Sequence, residues 1–395
     1  MKELKQSIEN DSTGNIHSSK VGKEPISMDT YQYLAQKMLG SDSTFTRTFM
    51  IILWNLMCRS PSSLNIKHDQ IKWYNDALCI EFSNMNEDEP GQQYPRHIYA
   101  NPVMPWICPI LALGMYWSTC QFDRSCDQLF EGSRQYERFR KELRLLLTVP
   151  EIATEMERRG VNVNYIGTNS FRKGATAFCV SGSTACPSYA AVQLRAGYPI
   201  AGVGDTNSLY EIVGDQYVGR TVCGLPINSH EFGFLPPHFI VSNSLITTAL
   251  NLTFPRAPTA LSFVLEFALA SLVYHSDYLR QQLNSAHPLL ISPLFADRDL
   301  LNQLKPLVSC TTESPKVGFR STGIPPHVAV LMEFQSLKNT IKDQSAREED
   351  STQRLVTNIV SELLRSGAGN LASIDIESNI SSKKPIDKQY PTARL

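Results

Sequence analysis

The stretch from Gly167 to Arg220 constrains the fold of this chain most. It reads as three helices divided by glycine and turn residues. Asn169 or Ser170 is placed to cap the first, which carries Phe171, Ala175 and Phe178. The second, Cys186 to Ala196, is rich in small residues (Ala190, Ala191, Ala196) and can pack closely against a neighbour. Gly197 supplies a left-handed stop. The third spans roughly Thr206 to Tyr217.

Around this stretch lie 395 residues, a length that suits two or three domains. Hydrophobic residues make up 42% and charged residues 19%, as in an ordinary globular protein. No apolar run is long enough to span a bilayer, so no membrane partner is expected. Met1 to Lys23 is polar and lacks the apolar core of a secretory signal. The nine cysteines are scattered, without a Cys-x-x-Cys pair. That pattern argues against a zinc site or a disulfide framework, and for a reducing nuclear or cytosolic compartment. No cofactor is implied. The formal net charge of −1 counts against a nucleic-acid partner, which usually demands a basic footprint.

In chain order, residues 1–25 read as a disordered tail. A helix begins near Ile26, with Tyr31, Leu34, Ala35 and Met38 on one face, and ends at Gly40. Ser43 or Thr44 caps a second helix running to about Cys58, with an apolar stripe of Phe45, Phe49, Ile52, Leu53 and Leu56. Arg59 follows at its end, where a cation favourable to the helix dipole is the plain reading. Ile66–Trp73 and Ala77–Ser83 flank Asn75-Asp76, a β-hairpin signal, and Arg96–Ala100 reads as a third strand. Pro109–Cys120 is a helix, with Pro tolerated in its first turn. Tyr136–Leu147 is an amphipathic helix preceded by Arg134. Its basic face of Arg138, Arg140, Lys141 and Arg144 is either solvated or in contact with a nucleic-acid backbone. Thr154–Arg159 extends this helical region. Ala260–Leu283 reads as one long helix, hydrophobic nearly all round and therefore buried or at an interface. Lys305–Pro326 is loop-like. Val328–Leu364 shows apolar spacings of three and four that suggest a coiled coil and self-association, interrupted by polar Gln344–Thr352.

Three segments share a pattern: Trp54-Asn55-Leu56-Met57-Cys58-Arg59-Ser60, Pro95-Arg96-His97-Ile98-Tyr99-Ala100-Asn101-Pro102, and Thr168-Asn169-Ser170-Phe171-Arg172 with Gly197-Tyr198 beyond it. In order and spacing they resemble the boxes of Crypton-type tyrosine recombinases. The resemblance covers roughly Ile26 to Phe239. It implies a mostly α fold with a small antiparallel sheet, double-stranded DNA as partner, a nuclear location, and descent from a transposable element. It also implies strand cleavage through a phosphotyrosine, with two arginines gripping the phosphate, a lysine as general acid and a histidine moving protons. On this chain the arginines fall at Arg59 and Arg172, and Tyr198 stands where the family has tryptophan or histidine. Asn86 aligns with the lysine, Asn169 with the histidine and Asn207 with the nucleophile. Asparagine neither attacks phosphorus nor shuttles a proton at neutral pH. The expectation is a degenerate copy that binds DNA with cleavage impaired.

Tyr210 is the nearer substitute nucleophile, three residues past Asn207 and on the same face if both are helical, and Tyr217 is a more distant one; otherwise Tyr210 is a packing tyrosine. An active recombinase using Tyr210, or a non-enzymatic oligomeric interaction protein, are the alternatives. Residues before Ile26 leave no room for the helical core-binding domain that family members carry upstream, so the chain is expected to lack it. The expected division is a catalytic-type domain at 26–240, a helical extension at 241–326, a coiled coil at 327–366 and a disordered tail at 367–395.

Overall fold

The computed structural model describes residues 23–41, 43–82, 94–120, 122–123, 125–198, 212–314 and 318–365. The chain divides into two units between Glu333 and Phe334.

The first unit is mostly helical with two small antiparallel sheets. Helix α1 (Met28–Leu39) is capped by the Ser27 side chain, which accepts from the Thr30 amide. Helix α2 (Thr44–Leu56) is the centre of the core, with every residue buried, including Arg47, Thr48 and Asn55. The sequence showed only a stripe there. Ser43 precedes α2 without capping it, because its hydroxyl donates to Glu142 instead. Trp54 of α2 stacks on Tyr31 of α1 at 4.1 Å between ring centroids, and Phe49 meets Phe130 and Phe139 edge-on. A short helix α3 (Ser60–Leu64) follows Arg59.

Strands β1 (Ile71–Tyr74), β2 (Ala77–Phe82) and β3 (Tyr94–Ile98) form a sheet in that order. Asn75 takes the left-handed conformation the β1–β2 turn requires, φ 50°. The first strand begins later than the β-branched run suggests. Ile66 and His68 pair instead with Leu129 and Asp127, and His68–Gln70 forms a 3-10 turn.

Helices α4 (Pro109–Thr119), α5 (Gln135–Leu147) and α6 (Pro150–Arg158) come next. They are followed by α7 (Thr168–Ser181), α8 (Tyr189–Ala196) and α9 (Ile212–Val222). Helix α8 starts after Pro187, where Ser188 accepts from the Ala191 amide, three residues later than the small-residue run suggests.

Beyond strand β4 (His238–Phe239) and helix α10 (Ser244–Thr253), the long apolar stretch is not one helix. It divides into α11 (Ser262–Tyr274) and α12 (Ser276–Gln282), bent by 62°. No glycine or proline marks the break. It falls at His275, which leaves helical geometry at ψ 10°; its buried ring is pushed down to about 4 by desolvation. Helix α11 is buried at Val264, Leu265 and Ala268 to Val273 and packs along α4, but Phe263, in its first turn, is 77% exposed, so its all-round hydrophobicity is not matched by all-round burial. At Gly114 of α4 an added Cβ would lie 3.0 Å from the Ala268 carbonyl, tighter than nine in ten real Cβ contacts, so glycine lets the helices approach without a shift. Phe267 of α11 stacks on Trp73 of β1 at 3.7 Å. Helices α13 (Pro293–Ala296) and α14 (Arg298–Leu304) complete the core. Strand β5 (Val308–Ser309) then pairs with β4 inside the segment expected to be loop. Two residues per strand leave no pattern to read.

Helix α15 (Pro326–Arg365) runs unbroken through the polar interruption at Gln344–Thr352. Its residues from Phe334 onward belong to the second unit. Among the described residues no single helix is long and apolar enough to cross a membrane, and no group of His, Cys, Asp and Glu could hold a metal ion. All the cysteines are free thiols.

Candidate phosphate-binding site

The site forms where α2, α7 and α8 end or begin near one another. Helix α8 stops at Gly197, whose positive φ of 65° turns the chain away and leaves the last carbonyls of the helix exposed. Two arginines take them. Arg172, from the first turns of α7, donates from Nε and Nη2 to the Ala196 carbonyl at 3.0 and 2.5 Å, and from Nη2 to the Gly197 carbonyl at 3.3 Å. Its guanidinium also lies 4.2 Å from the centroid of the Tyr198 ring. Arg96 of β3 donates to the Arg195 carbonyl and, at 2.7 Å, to the Leu56 carbonyl at the end of α2. Cations at a helix C-terminus are favoured by the dipole, so both arginines stabilise the fold.

That structural role leaves donors over. A guanidinium has five N–H bonds in a planar fork. The Nη1 group of Arg172 makes no hydrogen bond among the described residues, and the side chain is only half-buried. Arg59, one residue before α3, is exposed; its carbonyl accepts from the Ser63 amide at 3.3 Å, while its guanidinium has neither hydrogen bond nor ion pair among the described residues. Burial pushes the Cys58 thiol up, while the charges of Arg96 and Arg172 and a hydrogen bond with Ser63 pull it back. Arg59 is therefore the chain neighbour of a residue that feels the Arg172 charge. Neither Arg59 nor Arg172 has a carboxylate partner among the described residues.

Behind this surface lies a network that the sequence did not announce. Arg195 of α8 is fully buried. It donates to Asp215 of α9 at 2.5 Å, to the Asn55 carbonyl at 2.9 Å and to the His97 carbonyl at 2.8 Å. Asp215 also accepts from the His97 amide and from His97 Nδ1, both at 2.8 Å. Burial alone would raise the Asp215 pKa; the Arg195 charge and the His97 bonds outweigh it and hold the carboxyl at about 2. A second buried pair joins Arg220 of α9 to Asp76 in the β1–β2 turn. Thr322 donates to Asp76 at 2.7 Å, and Arg220 lies over the Tyr99 ring. Together these bonds fix α2, α8, α9 and β3 relative to one another. The only sequence signals were Arg195 in the last turn of a small-residue helix and Asp76 in a turn pair.

The other sequence-selected residues fall as follows. Asn169 is exposed on the first turn of α7. It is not the cap: Gly167 holds that position, and its amide donates to the Ser170 hydroxyl. The Tyr217 hydroxyl is committed to the Ala185 carbonyl. On α5, Arg138 pairs with Glu142 at 3.0 Å and covers the Phe45 ring, while Arg140 lies over Tyr136. Asn86, Asn207 and Tyr210 lie outside the described residues.

No family model matches the sequence, and no curated protein does either. Among solved structures, a Flpe–Holliday junction complex matches with 11% sequence identity and a TM-score of 0.40, over 71% of this chain and 72% of that one. A likeness that loose carries no argument about what this chain does.

Proposed function

We propose that the first unit binds double-stranded DNA through a phosphate grip made by Arg59 and Arg172, on a fold of tyrosine recombinase type descended from a Crypton-type element. One observation carries the reading: both arginines lack a carboxylate among the described residues and still have donors to offer, whereas Arg195 and Arg220 behind them are each neutralised. A planar guanidinium matches phosphate oxygens, and its charge releases counterions from the duplex. Arg172 is held in place by the α8 carbonyls before any ligand arrives, and Tyr198 presents a ring and a hydroxyl beside it.

Cleavage is impaired on this reading. Asn86 supplies no general acid, Asn169 no proton shuttle and Asn207 no nucleophile. The nucleus is the expected location, and a tagged chain excluded from it would count against DNA as the partner. The second reading is residual cleavage through Tyr210. It rests on the place of Tyr210 in the sequence, three residues past Asn207. An adduct to DNA that vanishes in Tyr210→Phe supports it; no adduct on any duplex or nicked DNA removes it. A homo-oligomer through 327–366 is the further partner proposed.

The test is binding of the full chain to random duplex DNA across a salt series, beside Arg59→Ala and Arg59→Ala/Arg172→Ala. Salt-sensitive binding that weakens in Arg59→Ala, a variant that disturbs no cap, supports the grip. Equal binding by all three chains, or none at low salt, rejects it.

A further inference from the structure

Helix α15 is 40 residues long and therefore about 60 Å from end to end. Two apolar groups on it face water. Phe334, Leu337 and Ile341 form one, with Phe334 71% exposed; Leu355, Val356 and Ile359 form the other, with Leu355 60% exposed. Spacings of three and four keep each group on one side. The exposed charges between and beside them are sorted by sign. Residues 334–347 carry Lys338, Lys342 and Arg347 against Asp343 alone; residues 348–362 carry Glu348, Glu349, Asp350 and Glu362 against Arg354.

Resting on the self-association proposed above, we infer that two copies of the chain pair antiparallel along this helix. The occupant of the apolar face is a second α15 because the face is complementary to itself when reversed. Setting Phe334 opposite Ile359 of a second copy sets Leu337 opposite Val356. It also brings Arg347 within one turn of Glu348 and Glu349, while Asp350 lies on the far side of the helix and pairs with Arg354 at 2.8 Å. A parallel pair would instead lay basic half on basic half and acidic half on acidic half, which costs free energy along the whole polar middle. Charge order thus sets the direction, and the two apolar groups supply the burial.

The test is sedimentation equilibrium of the full chain in low and high sodium chloride. The expected result is a dimer whose association weakens by about tenfold from low to high salt, as screening removes the attraction. Leu337→Asp/Ile359→Asp should abolish it while the near-ultraviolet circular dichroism of the first unit stays unchanged. Lys338→Glu/Lys342→Glu/Arg347→Glu should weaken it, and adding Glu348→Lys/Glu349→Lys/Asp350→Lys should restore it. A monomer at every concentration overturns self-association itself. A dimer that tightens with salt, or is indifferent to the triple charge reversal, leaves self-association standing and overturns the antiparallel arrangement. A dimer unaffected by Leu337→Asp/Ile359→Asp overturns α15 as the interface.

Discussion

Arg195 and Arg220 differ from Arg59 and Arg172 in what answers their charge. The first two are sealed in the core, each against an aspartate. The second two sit at the surface end of α2 and the start of α7, with carbonyls, an aromatic ring or water as company. Arginine cannot shed its proton inside a protein, so a buried one must be matched where it stands. Histidine can, and His275 shows the other solution: it is buried, its Nε2 lacks a partner among the described residues, and desolvation favours its neutral form. Arg47 is intermediate. It is buried among the carbonyls of Pro105 and Trp106, and its pKa falls to about 10. An arginine left without a countercharge at a surface is thus the one equipped to accept an anion from outside.

The largest effect should come from stranding a buried cation. Asp76→Ala leaves Arg220 unmatched and should cost about 3–5 kcal/mol in denaturant unfolding. A loss under about 1 kcal/mol would erase the distinction between the two kinds of arginine.

Acid should act next, through His275. Its folded pKa of about 4 lies below the ordinary value of 6.5, so stability is full above that value and falls as the pH drops toward 4. The loss should reach about 3 kcal/mol and be absent in His275→Phe. Asp215 then governs a lower window. Its carboxyl is held at about 2 against 3.8, so its contribution is intact above pH 3.8 and disappears toward pH 2, on the order of 2 kcal/mol. A flat unfolding free energy across both windows would mean that neither group is shifted.

Gly197→Ala forces a Cβ into the left-handed region and should cost about 1–2 kcal/mol, while loosening the carbonyls that Arg172 grips. Arg59→Ala is the smallest change for stability, within about 0.5 kcal/mol, since nothing depends on it. On the proposed grip, the slope of log DNA affinity against log salt should shrink by about 0.9. A slope unchanged beside an unchanged stability would leave Arg59 without a role.

Much of the fold was legible because periodicity and punctuation agree over long elements. The hairpin at Asn75-Asp76, helix α4 after its proline and the stop at Gly197 all follow from local rules. What local rules missed depends on partners distant in sequence. Asp76 looked like a turn former and is the counterion of Arg220, 144 residues away. Ser43 looked like a cap and serves Glu142. The bend at His275 carries no breaker residue, and its apolar flanks continue the helical pattern through it. At the site, Arg59 and Arg172 were selected by resemblance, whereas the carbonyl cradle for Arg172 and the part played by Arg96 were invisible. They depend on three segments meeting at the end of α8.

The seat of Ala268 against Gly114 has a practical consequence. Helix α11 fills the groove of α4 and clamps Trp73, so the residues after 240 are part of the wall of the core. A fragment trimmed there would lay bare a helix face and an indole that the intact chain keeps dry, and would be expected to aggregate. The smallest piece worth expressing runs on to Glu333.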